Sequence, residues 1–477
     1  MTFKVKFFHL EENTNKMLSA LLCIYSSIIT FVVAITVACI LLGKSWGDVP
    51  KIYAAFVIYL QENFGIQLDE ESLPGKRQKI IERRHCGRFI DHIAAKYSPT
   101  SKGNNTNENN NAIDLSEEEL DFELFDIQAE ILQAGVEAII QDDLLFTCEF
   151  SPINYWNFLS SPFLSVFNGY ESMQQWFLYC SSLGIRFLFL LPIRICLLIA
   201  SIIFLTTAAV GSFIHEYSHD QVVYIGKAFS RLFCASIGVI ANYIDGNKNQ
   251  PKAPGISVAN HLSANDIQLL FADAHDWGYT VTGQKHKGII GWVEKTAGRI
   301  GSTLWLERAN AHERKEFQKS IISYASNETK DPILLFPEGY CSNGTAVSQF
   351  RKACFVENVD FYPISITQDP RLGDAFWKED TFLPYLFRLM TSFGIIYNVR
   401  YLPPMRRNMN EASEKFAQRI QERIADASNI DTIPFDLNVL KRVTEQKRIH
   451  DYSQNQCAHM ISTLYATKYG PMIMHRG

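Results

Sequence analysis

His261 and Asp266 stand five positions apart in Asn260-His261-Leu262-Ser263-Ala264-Asn265-Asp266, directly after the apolar run Gly255 to Ala259. An imidazole and a carboxylate can together move a proton, provided they touch. On one continuous helix, residues five apart sit roughly 140° from each other, because each step turns about 100°. The two side chains therefore meet only if the chain bends between them. A strand running into a turn and then a helix supplies that bend, and the local signals fit it. Pro251-Lys252-Ala253-Pro254 cannot be strand interior, and Ile267 to Ala272 reads as a helix start. Ser263, with Asp266 three residues on, reads as a capping box. A carboxylate held against one ring nitrogen fixes the tautomer and leaves the other nitrogen free to take a proton from a hydroxyl. A plainer reading stands beside this one: Asp266 caps a helix and His261 is an ordinary loop histidine.

Two further strand ends carry charge. Thr303–Leu306 runs into Glu307-Arg308, and Ile333–Phe336 runs into Pro337-Glu338-Gly339. Ligands of open α/β sheets bind at the carboxyl ends of strands, and an arginine there can hold a phosphate by two parallel hydrogen bonds. Pro337 stops the ladder, and Gly339 lets backbone come close to a ligand. Glu338 can accept hydrogen bonds from a polyol or position Arg308. Arg351 and Lys352 add two cations near the same turn. The plainer alternatives are a surface ion pair for Arg308 and an exposed turn residue for Glu338.

These residues need a sheet to position them. From about 251 to 445 the apolar runs Ile256–Ala259, Tyr279–Thr282, Thr303–Leu306, Ile333–Phe336, Phe361–Ile366 and Ile395–Tyr401 read as strands, with helical stretches between several of them. Strands alternating with helices predict an α/β fold with a mostly parallel sheet flanked by helices. Residues 120–250 read as a helical region, and Gln221 to Ile244 as an amphipathic stretch along a membrane. Residues 51–97 are basic and amphipathic, 98–119 an asparagine-rich linker expected to be disordered, and 446–477 a tail.

Composition bounds the rest. The chain has 477 residues, a net charge of −5 and a pI near 6.2, which gives no case for nucleic acid. Its ten cysteines form no C-x-x-C pair, which suits a reducing compartment and neither a disulfide framework nor a metal site. Met17 to Gly43 is apolar and free of charge, longer than the about 20 residues that span a bilayer, and residues 1–50 read as an uncleaved anchor. A second run near 187–214 either spans or forms two half-inserted helices broken at Pro192, with Arg194 snorkelling to the headgroups. If both runs span, the N-terminus and everything after Ile214 lie on one side.

The ordered set Asn-His-x4-Asp, Glu307-Arg308, Phe336-Pro337-Glu338-Gly339 and the strand Tyr362-Pro363-Ile364 resembles the membrane glycerolipid acyltransferase superfamily. Gly283 to Gly288, Trp305 to Arg308, Phe336 to Phe355, Gly373 to Trp377, Met390-Thr391-Ser392 and Tyr401 to Met405 narrow it: the chain looks most similar to the glycerol-3-phosphate acyltransferases of the endoplasmic reticulum. It departs from the usual pattern at Tyr340 in place of Thr, at Ala353 in place of Gly, and at Leu262-Ala264-Asn265. The resemblance implies an enzyme that moves a long-chain acyl group from acyl-CoA to glycerol 3-phosphate, giving lysophosphatidate at the start of phospholipid and triacylglycerol synthesis. It implies His261 as general base, Asp266 as its orienter, and Arg308 and Glu338 with Gly339 at the glycerol-phosphate site; Glu307 and Lys352 join them as candidates. No cofactor or metal is implied, acyl-CoA being a co-substrate. The bilayer is the other partner, with the catalytic domain on the cytosolic side of the endoplasmic reticulum. Lysophosphatidate or another lysophospholipid is the alternative acceptor. A hydrolase using Ser263 lacks a G-x-S-x-G elbow, and a non-catalytic membrane scaffold is the remoter reading.

Overall fold

In the computed structural model, residues 2–64, 173–284, 288–306, 319–327, 330–352, 355–377, 379 and 381–433 are described. The expected linker, most of the basic region, Glu307, Arg308 and the tail lie outside the described residues. The strands among the described residues are β1 (Val239–Ile244), β2 (Ile256–Ala259), β3 (Thr280–Gln284), β4 (Thr303–Leu306), β5 (Ile333–Leu335), β6 (Ala346–Val347), β7 (Phe361–Asp369), β8 (Ile395–Tyr401) and β9 (Asp431–Thr432). Seven form one sheet in the order β1-β8-β7-β2-β5-β3-β4, and β6 pairs with β9. Every pairing is parallel except β7 with β8. β2, β3, β4, β5 and β7 therefore end at one edge of the sheet, while β1 and β8 end at the other.

β2 sits in the middle and all four of its residues are buried. A strand paired on both sides and covered on both faces has no solvent face, which is why Ile256 to Ala259 shows no polar alternation. One face carries Leu269, Leu270, Tyr385, Leu389 and Tyr397. The other carries Val258, Phe355, Phe361 and Phe416.

Among the described residues, besides the single helical turn Gly246–Asn249, the helices are α1 (Thr2–Leu41), α2 (Val49–Phe64), α3 (Met173–Gly184), α4 (Leu191–Gly211), α5 (His219–Ser236), α6 (Asp266–Phe271), α7 (Gly288–Ala297), α8 (Phe382–Met390) and α9 (Ser413–Ser428). On α9, Phe416, Ile420 and Ile424 recur every four residues and are fully buried, the stripe of a helix covering a sheet. Two helical stretches, Asn15–Leu41 and Phe177–Gly211, are long and apolar enough to cross a membrane.

Three expectations change. The amphipathic stretch to Ile244 is not one helix: α5 stops at Ser236, Gly238 takes φ +74°, and Val239–Ile244 becomes the edge strand β1. Pro192 does not break the second apolar run. It occupies the first turn of α4, where a missing N–H costs nothing, and a π-helical stretch, Ile185–Leu190, joins α3 to α4. Arg194 does not snorkel. It is 5% exposed, and its guanidinium donates to the carbonyls of Leu389, Met390, Ser392 and Phe393. A helix leaves its last carbonyls without partners, and Arg194 supplies them to α8.

Candidate active site

β2 delivers Asn260 and His261 at its carboxyl end. The Asn260 side chain accepts from the Ile366 amide and donates to the Ile366 carbonyl, both at 2.8 Å, and so fixes the exit of β2 against β7. The chain then turns, and Asp266 opens α6. Its Oδ2 lies 2.9 Å from His261 Nδ1 and accepts from the amides of Leu262 at 2.7 Å and Ser263 at 2.9 Å. Its Oδ1 accepts from the Ser263 hydroxyl at 2.7 Å. Asp266 thus reaches back over the turn that brought it there. This is one half of the expected capping box: Asp266 accepts from the Ser263 amide, while the Ser263 hydroxyl donates to Asp266 instead of accepting from its amide.

The Ser263 hydroxyl also meets the Tyr397 hydroxyl at 3.0 Å. Fully buried and committed to Asp266, it is not placed as a nucleophile. Asn265 donates to the Tyr385 hydroxyl at 2.6 Å, and Tyr385 donates to the Ala375 carbonyl. Burial pushes both tyrosines well above their ordinary range, so they stay neutral.

β5 runs parallel beside β2, so its carboxyl end arrives next to His261. Phe336 stacks on the imidazole, with ring centres 4.4 Å apart. Glu338 is wholly buried. One carboxylate oxygen accepts from the His261 amide at 2.7 Å, and the other accepts from the amide and hydroxyl of Ser348 at 3.0 and 2.7 Å. One oxygen of Glu338 thus holds the backbone that carries the histidine and the other holds Ser348. Burial raises its pKa to about 7, against the pull of those three donors.

Gly339 takes φ +75°, and a β-carbon there would meet the Arg351 guanidinium. Arg351, rather than Lys352, is thus the cation packed on this turn. Lys352 lies on the surface and pairs with Glu414 of α9. The loop continues past Cys341 to Ser342, whose amide donates to the His261 carbonyl at 2.8 Å. Asn343 is also buried, and its side-chain oxygen accepts from the amide and hydroxyl of Thr345.

The His261 side chain is 19% exposed, while Asp266 is not exposed at all. Burial alone would lower the histidine's pKa. The Cys341 sulfur, within hydrogen-bonding reach of the ring, and the Asp266 carboxylate outweigh it, and the net shift is well upward. With Nδ1 bound to Asp266, Nε2 is the nitrogen left to exchange a proton. A separate hollow of about 510 Å³, lined by Lys248, Arg400, Arg423, Asp245 and Asp426, lies where β1 and β8 end, at the opposite edge of the sheet.

Sequence reasoning missed Ser348, Tyr385, Tyr397 and Cys341 as parts of this site, and named Asn260 and Arg351 without a role for either. Arg351 had a signal in its neighbourhood to Gly339. The tyrosines had none, since they act across more than a hundred positions of chain.

Residues 242–367 match the acyltransferase family. Glycerol-3-phosphate acyltransferase 3 of Xenopus laevis is 32% identical over 346 residues, covering 72% of this chain and 76% of that protein. Glycerol-3-phosphate acyltransferase 4 of Homo sapiens is 32% identical over 346 residues, covering 72% and 74%. Among solved structures, the 1-acyl-sn-glycerophosphate acyltransferase of Thermotoga maritima matches with a TM-score of 0.33 and 16% identity, over 49% of this chain and 95% of that one. The imidazole and carboxylate joined at the end of β2 fall inside the matched residues, and on the identity and coverage of these relatives the chain belongs to the glycerol-3-phosphate acyltransferase family of O-acyltransferases.

Proposed function

We propose that the protein transfers a long-chain acyl group from acyl-CoA to the 1-hydroxyl of glycerol 3-phosphate, giving lysophosphatidate and free coenzyme A. The hydroxyl oxygen attacks the thioester carbonyl while His261 Nε2 takes its proton. The carbon–sulfur bond then breaks, and the imidazolium returns the proton to the departing thiolate. Asp266 holds Nδ1 and stabilises the imidazolium between these events. General base catalysis of this kind contributes typically 10²–10⁴-fold. Glu338 positions the base through the His261 amide, and Arg308, outside the described residues, is assigned to the phosphate.

The observation that carries this reading is the 2.9 Å contact between His261 Nδ1 and Asp266 Oδ2, in a chain about one-third identical to enzymes named for glycerol 3-phosphate. No cofactor enters the scheme. The site works where acyl chains partition, on the cytosolic side of the endoplasmic reticulum membrane, because acyl-CoA is supplied from that side.

The test uses the full-length protein in membranes with labelled glycerol 3-phosphate or lysophosphatidate and palmitoyl- or oleoyl-CoA. Label from glycerol 3-phosphate is expected in lysophosphatidate. Transfer to lysophosphatidate alone would replace the acceptor, and release of free fatty acid without an acceptor would replace the reaction class.

A further inference from the structure

β8 pairs antiparallel with β7, and that reversal brings a tyrosine to the catalytic edge of the sheet. Ala259, the last residue of β2, is level with Ile364 of β7, and Ile364 with Tyr401 of β8. Further along β7, Gln368 is paired with Tyr397. Tyr397 therefore stands past the end of β2, at the height of the turn that joins His261 to Asp266. Its ring is fully buried in the cluster on one face of the sheet, with Leu269, Ile366 and Leu389. A phenylalanine ring would fill that space equally well, so packing accounts for the ring and not for the hydroxyl.

The Tyr397 hydroxyl meets the Ser263 hydroxyl at 3.0 Å. The direction of that bond follows from counting protons. A hydroxyl has one proton to give and two lone pairs to accept with, and an ionised carboxylate only accepts. Ser263 gives its proton to Asp266 Oδ1 at 2.7 Å, and one of its lone pairs takes the Asn265 amide at 3.2 Å. The other takes the Tyr397 proton. The groups then form one chain: Tyr397 donates to Ser263, Ser263 donates to Asp266 Oδ1, and Asp266 Oδ2 lies 2.9 Å from His261 Nδ1. Tyr397, Ser263 and Asp266 are all fully buried. No water competes there, and successive hydrogen bonds polarise one another.

We propose that Tyr397 is a positioning residue of the general base: acting through Ser263, it draws charge from the Asp266 carboxylate and so sets how strongly His261 holds its proton. The inference rests on the acyl-transfer reading only in naming His261 the base. Without the Tyr397 proton, Ser263 donates less strongly and more charge stays on Asp266 Oδ2. The imidazolium beside it is then favoured, so loss of the hydroxyl raises the pH at which His261 becomes neutral. The other titratable groups facing the imidazole are Glu338, bound to the His261 amide, and Cys341. Tyr385 and Cys234 stand near Tyr397, and Arg388 lies over the Tyr385 ring. Tyr397→Phe alters none of them.

The test is the pH midpoint at which diethyl pyrocarbonate, which attacks a neutral imidazole, modifies His261 in the full-length protein in membranes. The midpoint is read by mass on the peptide that contains His261, and kcat/KM for glycerol 3-phosphate is followed over the same pH range. Tyr397→Phe is expected to move the midpoint and the kcat/KM limb to higher pH by about half a unit, part of what one hydrogen bond contributes. A tyrosine with one ring fluorine at this position, a stronger donor in the same space, should move both to lower pH. In a Ser263→Ala background, Tyr397→Phe should add no further shift. A hydroxyl that only braces the turn would lower kcat and leave the midpoint in place. That result, or shifts of one sign in both variants, or a full shift without Ser263, overturns the inference. The midpoint needs no acyl acceptor, so a protein that shows these shifts without acylating glycerol 3-phosphate keeps the relay and loses the acyl-transfer reading.

Discussion

The end of β2 and the outer face of α4 are built on opposite terms. Around His261 every polar partner is specified: Asp266 takes hydrogen bonds from two amides and a hydroxyl as well as the imidazole, and Glu338 takes three. Buried acceptors are costly to leave unmade, about 1–3 kcal/mol each, so few side chains can stand in for these. On the outer face of α4 the requirement is only for apolar surface, and Ile, Leu or Val serve alike. The comparison teaches where substitution is felt. Geometry is stored at the strand end, and apolar surface is spread over a face.

Apart from His261 itself, Asp266 is expected to show the largest effect. D266N keeps the shape but gives an amide where His261 Nδ1 needs an acceptor, and kcat for glycerol 3-phosphate should fall by about two to four orders of magnitude. A fall of less than tenfold would mean that the carboxylate only braces the turn.

Glu338 is expected to appear in stability. Its folded value of about 7 lies above the ordinary 4.5, so the fold favours its protonated form. That stabilisation is full below about pH 4.5 and is lost as the pH rises through about 7. E338Q should flatten this part of the pH dependence of thermal inactivation, and an unchanged slope would show that the carboxylate is ionised throughout.

Cys341 is expected to act on the pH profile. The raised value of His261 means that the interactions around it favour the imidazolium, whereas a base must be neutral. Thus kcat/KM should climb as the pH rises beyond 6.5 toward the raised value. C341A removes part of what raises it, so the limb should move to lower pH with little loss of maximal rate. A limb that stays in place would remove the thiol from the account. The smallest effect belongs to the exposed face of α4: I203A should change stability by less than about 0.5 kcal/mol and leave kcat unchanged.

Much of the sheet is legible in the sequence because buried strands there are short apolar runs bounded by Pro or Gly, as at Ile256–Ala259 between Pro254 and the Asn260 turn. β1 is not legible in that way. Val239–Ile244 continues the apolar pattern of α5, and only pairing with β8, more than 150 positions later, makes it a strand. His261 and Asp266 are legible as a pair because the bend that joins them is local. Their supports are not. Whether Glu338 is exposed or buried depends on Ser348 folding over it, and glutamate is seldom fully buried. That Lys352 pairs with Glu414 is not legible either, since α9 brings the partner from 62 positions away. Arg194 reads as a headgroup ligand until the carbonyl ends of α8 are seen beside it.

The most direct test of the central claim is the rate of acyl transfer from acyl-CoA to glycerol 3-phosphate by H261A in membranes, set against the parent at equal inserted protein. Loss of transfer by at least about 10²-fold, with Asp266 and the fold otherwise intact, is the predicted result. An H261A enzyme that keeps the parent's rate would contradict the assignment of this imidazole as the base.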